Sequence, residues 1–243
     1  MEKTVSEAIA YRRSVRVFKK DEHPHPEEVK ACLEDAVLAA TSSNLQLWEF
    51  YHITDDVLMK KMTKACLGQN AAATASQLVV VVTRKDLWKQ RARFNAAFLS
   101  RLIGDKPKET YSRREKNALA YYQKLIPMVY FDFLGIVGWL KYLIFIIVGL
   151  FRPVYRQLRS SDLRTVVHKS AALASQNFML SMAAKGYDTC PMEGSDTLMI
   201  KNILKLPRGS EICMVIACGI RDGNKGIYTE RYRVPFEEVY HSL

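Results

Sequence analysis

At 243 residues, with 49% apolar and 25% charged side chains, the chain has the size and composition of one globular domain with a sizeable core. Its net charge of +11 favours an anionic partner, but no zinc-finger spacing, helix-turn-helix or ribonucleoprotein motif accompanies that charge, so nucleic acid is not expected. Five cysteines, at positions 32, 66, 190, 213 and 218, lack a Cys-x-x-Cys pair and fit a reducing compartment better than a disulfide framework.

Residues 4–11 read as a short helix ending at Arg12 and Arg13. Pro26, followed by Glu27 and Glu28, opens a second helix to about Ala39, with Val29, Leu33, Ala36 and Val37 on one face. Residues 48–54 have strand character, and 56–66 read as a helix capped by Asp55. The continuous apolar run Leu78–Thr83 marks a strand buried on both faces. Segments 85–99 and 108–125 are helical and basic. The longest helix is expected over 161–185, with Leu173, Phe178, Leu180 and Met182 among its apolar residues and Gly186 closing it. A further helix follows Asp196, then a buried strand over Ile212–Gly219 and an extended tail. Interleaved helices and strands imply one layered α/β or α+β domain over 1–243. The charged, amphipathic N-terminus lacks the apolar core of an export signal, which implies a cytoplasmic protein.

Two stretches at opposite ends place cationic groups one or two residues apart: Arg12-Arg13-Ser14-Val15-Arg16-Val17-Phe18 and Glu230-Arg231-Tyr232-Arg233-Val234-Pro235. Alternate side chains of an extended segment share a face, so Arg231 and Arg233 can reach one anion together. The guanidinium fork makes paired, charge-assisted hydrogen bonds to phosphate. Basic clusters are usually solvated faces, so charge alone does not define a site.

Two more segments add to that pattern: Thr41-Ser42-Ser43-Asn44-Leu45-Gln46-Leu47-Trp48-Glu49-Phe50, and Gly186 through Asp196 with its Pro191-Met192-Glu193-Gly194 turn. In this order and at this spacing the four segments resemble the FMN-dependent nitroreductase family, over about residues 4–100 and 160–241. The resemblance implies an α+β nitroreductase-like fold, a central mixed sheet wrapped by helices, in an intertwined homodimer. It implies that Arg12, Ser14 and Arg16, with Arg231 and Arg233, bind the FMN phosphate, Arg13 contributing through its backbone. Ser42, Ser43 and Asn44, with Gln46 in the same motif, would border the flavin from the neighbouring subunit. The turn Pro191, Met192, Glu193, Gly194 would lie against the central ring, with a backbone N–H of Glu193 or Gly194 directed at N5, where hydride arrives and leaves. NADPH or NADH would reduce the flavin and leave, and a flat nitroaromatic or quinone-like acceptor would follow in ping-pong order. The absence of a Gly-x-Gly-x-x-Gly fingerprint fits one shared site.

Neither a metal site nor an acid–base dyad is required. His23-Pro24-His25 reads as a surface turn and His168 as a core or interface histidine. Cys190 reads as a small buried residue at a strand end, with a redox thiol as the alternative. Asp188 and Glu193 could pair for acid–base work, although the turn already accounts for Glu193. Bacterial family members often carry an Asn and a Lys at the flavin's pyrimidine edge. Here residues 67–73 contain no lysine, and Gln69 or Asn70 is the available substitute. An amide supplies no positive charge near N1, so the reduced flavin is expected to be less stabilised unless Arg16 or another cation compensates. Leu47 is a milder departure, standing where the family often has proline before Trp48. Two alternatives stay open: other reductive chemistry on the same fold, such as dehalogenation or flavin consumption, and a non-catalytic, basic flavin-binding protein at a membrane surface.

The run from Phe133 to Phe151 holds one charge, Lys141, and lies in a variable apolar and basic insertion at about 101–160. Its length nearly meets that of a membrane span, and Arg152, Arg156, Arg159 and Arg164 follow it. A span would put Arg12–Arg16 and Arg231–Arg233 on opposite sides of a bilayer, which contradicts a shared phosphate site. The remaining readings are a segment buried in the dimer, a lid over the flavin, or a hairpin dipping into one leaflet at the inner membrane face.

Overall fold

A computed structural model describes residues 2–243. In chain order the elements are α1 (Val5–Tyr11), α2 (Pro26–Ala36), β1 (Trp48–Ile53), α3 (Asp56–Ala65), α4 (Asn70–Thr74), β2 (Gln77–Thr83), α5 (Trp88–Ile103), α6 (Arg113–Ala120), α7 (Ile126–Tyr130), α8 (Ile136–Val148), α9 (Ser160–Ala184), β3 (Asp188–Met192), α10 (Thr197–Ile203) and β4 (Glu211–Gly219).

The four strands form one sheet in the order β1-β2-β4-β3, and every ladder is antiparallel. The expected mixed character is confined to one parallel bridge, Ser14 to Thr189, where the N-terminal segment meets the outer edge of β3. All seven residues of β2 are buried, as its unbroken apolar run requires. Its side chains alternate between two cores. Leu78, Val80 and Val82 face a core shared with Met59, Met62 and Ile200 from α3 and α10. Val79 and Val81 face Val29, Ala174, Phe178 and Met182 from α2 and α9. The result is helices on both faces of a thin sheet, the α+β layering that the interleaved elements imply.

Local chemistry sets the boundaries. Thr4 caps α1 in a capping box with Glu7, and Asp55 accepts from the Leu58 amide at the start of α3. Helix α2 stops at Ala36 rather than Ala39. Helix α9 runs 25 residues, and its small buried residues Ser170, Ala171, Ala174 and Ser175 let it lie close against α2 and the sheet. Leu173, read as part of its apolar set, is exposed instead. Gly186 takes φ +86°, the left-handed turn that releases the chain into β3.

The basic segment expected to be helical from 108 starts at Arg113, where Ser112 and Glu115 form a capping box. It continues through a π-helical turn at Tyr121–Leu125 into α7. A third core, with Leu45, Leu47, Ala92, Ile126, Tyr130, Leu163 and Val167, ties this insertion to the domain.

Candidate functional site

The two terminal arginine segments meet as their spacing predicts. Val15 donates to the Thr189 carbonyl at 3.1 Å and Arg16 donates to the Gly226 carbonyl at 3.0 Å, so residues 14–16 are clamped between β3 and the C-terminal segment. A Cβ on Gly226 would collide with the Val17 amide nitrogen, so only glycine permits this approach. Together Arg12, Arg13, Ser14, Arg16, Arg231 and Arg233 line a recess of about 250 Å³, with Tyr228 and Glu230 on its rim.

No ion pair neutralises any of these five guanidinium groups among the described residues. Four of them reach main-chain carbonyls instead. Arg13 donates to the Thr229 carbonyl at 2.6 Å, and Arg231 donates to those of Ala10 and Arg12 at 2.8 and 2.6 Å. The Arg16 guanidinium lies 5.1 Å from the Tyr228 ring centre. Burial, then the like charges of Arg231, Arg233 and Arg13, push the Arg12 pKa below its ordinary value. The result is a recess of converging cations that are unpaired among the described residues, with Arg12 partly desolvated. Thr189, whose backbone bridges Ser14, has a buried hydroxyl with no hydrogen-bond partner among the described residues.

The recess is supported by an ion pair absent from the sequence reading. Asp188, buried at the start of β3, accepts from the Arg221 main-chain N–H at 2.8 Å and from its Nε at 2.8 Å. Arg221 in turn packs over the Tyr11 ring, 4.3 Å from its centre. Asp188 is therefore fully engaged and unavailable for acid–base pairing with Glu193. An aspartate inside an apolar strand was the available signal. Cys190 is buried beside Arg12 and Arg16, and burial raises its pKa more than those cations lower it, so it stays a protonated thiol.

The remaining expected residues form two further groups. Gln69 donates from Nε2 to the Gly194 carbonyl at 2.6 Å, tying the Pro191–Gly194 turn to the loop before α4. Met192 is buried, whereas Glu193 and Gly194 are exposed. The Ser42–Gln46 loop is folded by its own contacts, with Ser43, Asn44 and Gln46 all at positive φ. The Ser43 hydroxyl bonds Tyr121 at 2.7 Å, and Asn44 exchanges hydrogen bonds with Asn95 of α5. Gln46 donates to the Asn44 side chain at 3.2 Å. Among the described residues, no hydrogen bond joins this loop to the arginine recess. Tyr121 and Asn95 lie in segments read only as basic helix, and nothing in their spacing marked them.

His168 bonds Glu211 at 3.1 Å on the edge between α9 and β4, a structural place away from the recess.

The sequence matches the Nitroreductase family over residues 9–220, and the chain belongs to that family. Protein DrgA of Synechocystis sp. is 29% identical over 218 residues, spanning 88% of this chain and 83% of that protein. A Bacillus subtilis protein whose name assigns it provisionally to the NAD(P)H nitroreductases, MhqN, is 23% identical over 93% of both chains. Among solved structures, one provisionally named a nitroreductase from Exiguobacterium sibiricum, in complex with FMN, superposes with a TM-score of 0.70 at 20% identity, covering 99% of this chain and 98% of its own. The fold is therefore the nitroreductase fold.

Proposed function

We propose that this protein is an FMN-dependent oxidoreductase that uses NADPH or NADH to reduce a flat, electron-poor acceptor of nitroaromatic or quinone type. The arginine recess carries the reading. Five converging guanidinium groups without carboxylate partners among the described residues fit a phosphate monoester. Relatives named as NAD(P)H nitroreductases and a neighbour solved with FMN support the nature of that phosphate.

Arg12, Arg16, Arg231 and Arg233 would hold the phosphate, with Ser14 and the Arg13 main chain closing the cradle. The main-chain amides of Glu193 and Gly194 would face the ring, and Gln69, already bound to Gly194, would fix that turn and meet the pyrimidine edge. When bound, FMN supplies two-electron transfer through N5 between the two substrates. Among the described residues, Ser42, Ser43, Asn44 and Gln46 make no hydrogen bond to the recess, which fits their serving a neighbouring subunit. The tail favours the same arrangement: Tyr232, Val234, Phe236, Val239 and Tyr240 are exposed, an apolar arm with no core to enter in a single chain.

Steady-state oxidation of NADPH and NADH with menadione tests the reading. Turnover per subunit far above that of the same concentration of free FMN is expected; a rate equal to free FMN would refute an enzyme.

A further inference from the structure

We infer that the outward face of α8 is a docking surface for an anionic lipid membrane. Ile136, Leu140, Leu143, Ile144 and Ile147 fall at helical spacing along one stripe and are 49–64% exposed. Leu150 and Phe151 extend it at 76% and 85% exposure. The one charge of the segment is turned away from this stripe: Lys141 donates to the carbonyls of Val129 and Phe131 at the end of α7. Gly138 is buried, with the Leu158 and Arg159 backbone against it, and this seats the opposite side of the helix on the domain. The stripe is thus uncharged and, among the described residues, uncovered, while Gly138 and Lys141 seat the helix's other side.

Geometry excludes crossing. Thirteen residues make a helix of about 20 Å, shorter than a hydrocarbon core of about 30 Å. Among the described residues no helix is long and apolar enough to span a membrane. Both ends of α8 also return to the domain, at buried Tyr130 and buried Leu158. A helix of this kind lies flat in the interface.

Charge selects the occupant. Residues 101–164 carry twelve Lys and Arg against five Asp and Glu, a net +7 out of the chain's +11. Arg152 and Arg156, at the C-terminal end of α8, are exposed and form no ion pair among the described residues. A second copy would bring its own Arg152 and Arg156 against those of the first, whereas acidic headgroups match them. The excess charge that the phosphate recess leaves unexplained is thereby accounted for.

A cavity of about 350 Å³ lies between α8 and the Ser42–Ser43 loop, lined by Phe145, Leu158, Tyr130 and Met128 as well as both serines. Resting on the flavin-enzyme reading, docking through α8 brings this apolar cavity to the lipid surface, and the acceptor class becomes a lipid-dissolved quinone. NAD(P)H and one proton then reduce the quinone to its hydroquinone and give NAD(P)+.

Flotation of the full-length protein with vesicles of phosphatidylcholine, alone or mixed with phosphatidylglycerol, tests the docking independently of any flavin. Binding to the mixed vesicles is expected, weaker by about tenfold or more on pure phosphatidylcholine and in Arg152→Glu/Arg156→Glu. Leu143→Asp/Ile147→Asp, both at exposed positions, should abolish flotation while keeping the circular dichroism spectrum and the mass in solution. Wild-type protein that stays at the bottom with both vesicle types overturns the inference, and a fall in mass of the Leu143/Ile147 variant would then name a second copy as occupant. With ubiquinone-10 dissolved in mixed vesicles, the same variant should lose about tenfold in turnover yet keep its rate with menadione. Equal rates with ubiquinone-10 overturn the lipid-dissolved acceptor. Flotation without any menadione turnover would refute the enzyme reading alone.

Discussion

The arginine recess and the insertion both concentrate positive charge, and they arrange it in opposite ways. In the recess, five guanidinium groups from the two ends of the chain converge on about 250 Å³ with no ion-pair partner among the described residues, and carbonyls hold Arg13 and Arg231. The insertion 101–164 instead spreads twelve Lys and Arg along its length, and the exposed stripe of α8 within it carries no charge. Converging charge selects one small anion through directed hydrogen bonds, whereas dispersed charge around an apolar face suits a broad anionic surface and is screened by salt.

The largest effect that would break this contrast is expected in the recess. Arg231→Ala/Arg233→Ala removes two charge-assisted contacts of about 1.5–3 kcal/mol each, so FMN affinity should fall by about 10²-fold or more. Flavin content per subunit measures this, and full occupancy would disprove the phosphate assignment. Arg152→Glu/Arg156→Glu should leave that content unchanged, because those cations serve the other region.

Next in size is the buried pair that supports the recess. Asp188→Asn leaves Arg221 without its counter-charge and should cost about 3 kcal/mol of stability in urea unfolding. Gly226→Ala forces Val17 and Arg16 off their hydrogen bonds and should cost about 1–3 kcal/mol, with weaker flavin binding as its second sign. Gln69→Leu removes one bond to the Gly194 carbonyl and should cost about 1 kcal/mol, read best as a shift in flavin fluorescence or potential rather than in stability.

The smallest effect is on pH dependence. Burial pushes the Cys66 and Cys213 thiols up to about 11 from an ordinary value of 9.0. Folding therefore favours their protonated forms, and this contribution is present below pH 9 and lost as pH rises towards 11. Urea midpoints at pH 8 and pH 10 should differ in that direction.

Much of this was legible before any coordinates. The unbroken run Leu78–Thr83 required a central buried strand, Asp55 and Pro26 marked their helix starts, and the two terminal arginine segments were expected to meet, as they do in one recess. The Asp188–Arg221 pair was not legible, because which basic residue meets a buried aspartate depends on chain crossing rather than on local pattern. The placement of α8 was equally hidden. An apolar run of that length fits a core, a lid or a membrane face, and only the structure shows which way Lys141 points and that a stripe on the other side is exposed. The Ser42–Gln46 loop was recognisable as a motif, but its ties to Tyr121 and Asn95 arise from tertiary packing alone.

The most direct measurement is the visible absorption spectrum of the purified protein, followed by identification of what heat denaturation releases. A flavin spectrum with about one FMN per subunit in the supernatant is expected, retained in Arg152→Glu/Arg156→Glu and lost in Arg231→Ala/Arg233→Ala. A colourless protein that also fails to take up added FMN would contradict a phosphate-anchored flavin in the arginine recess.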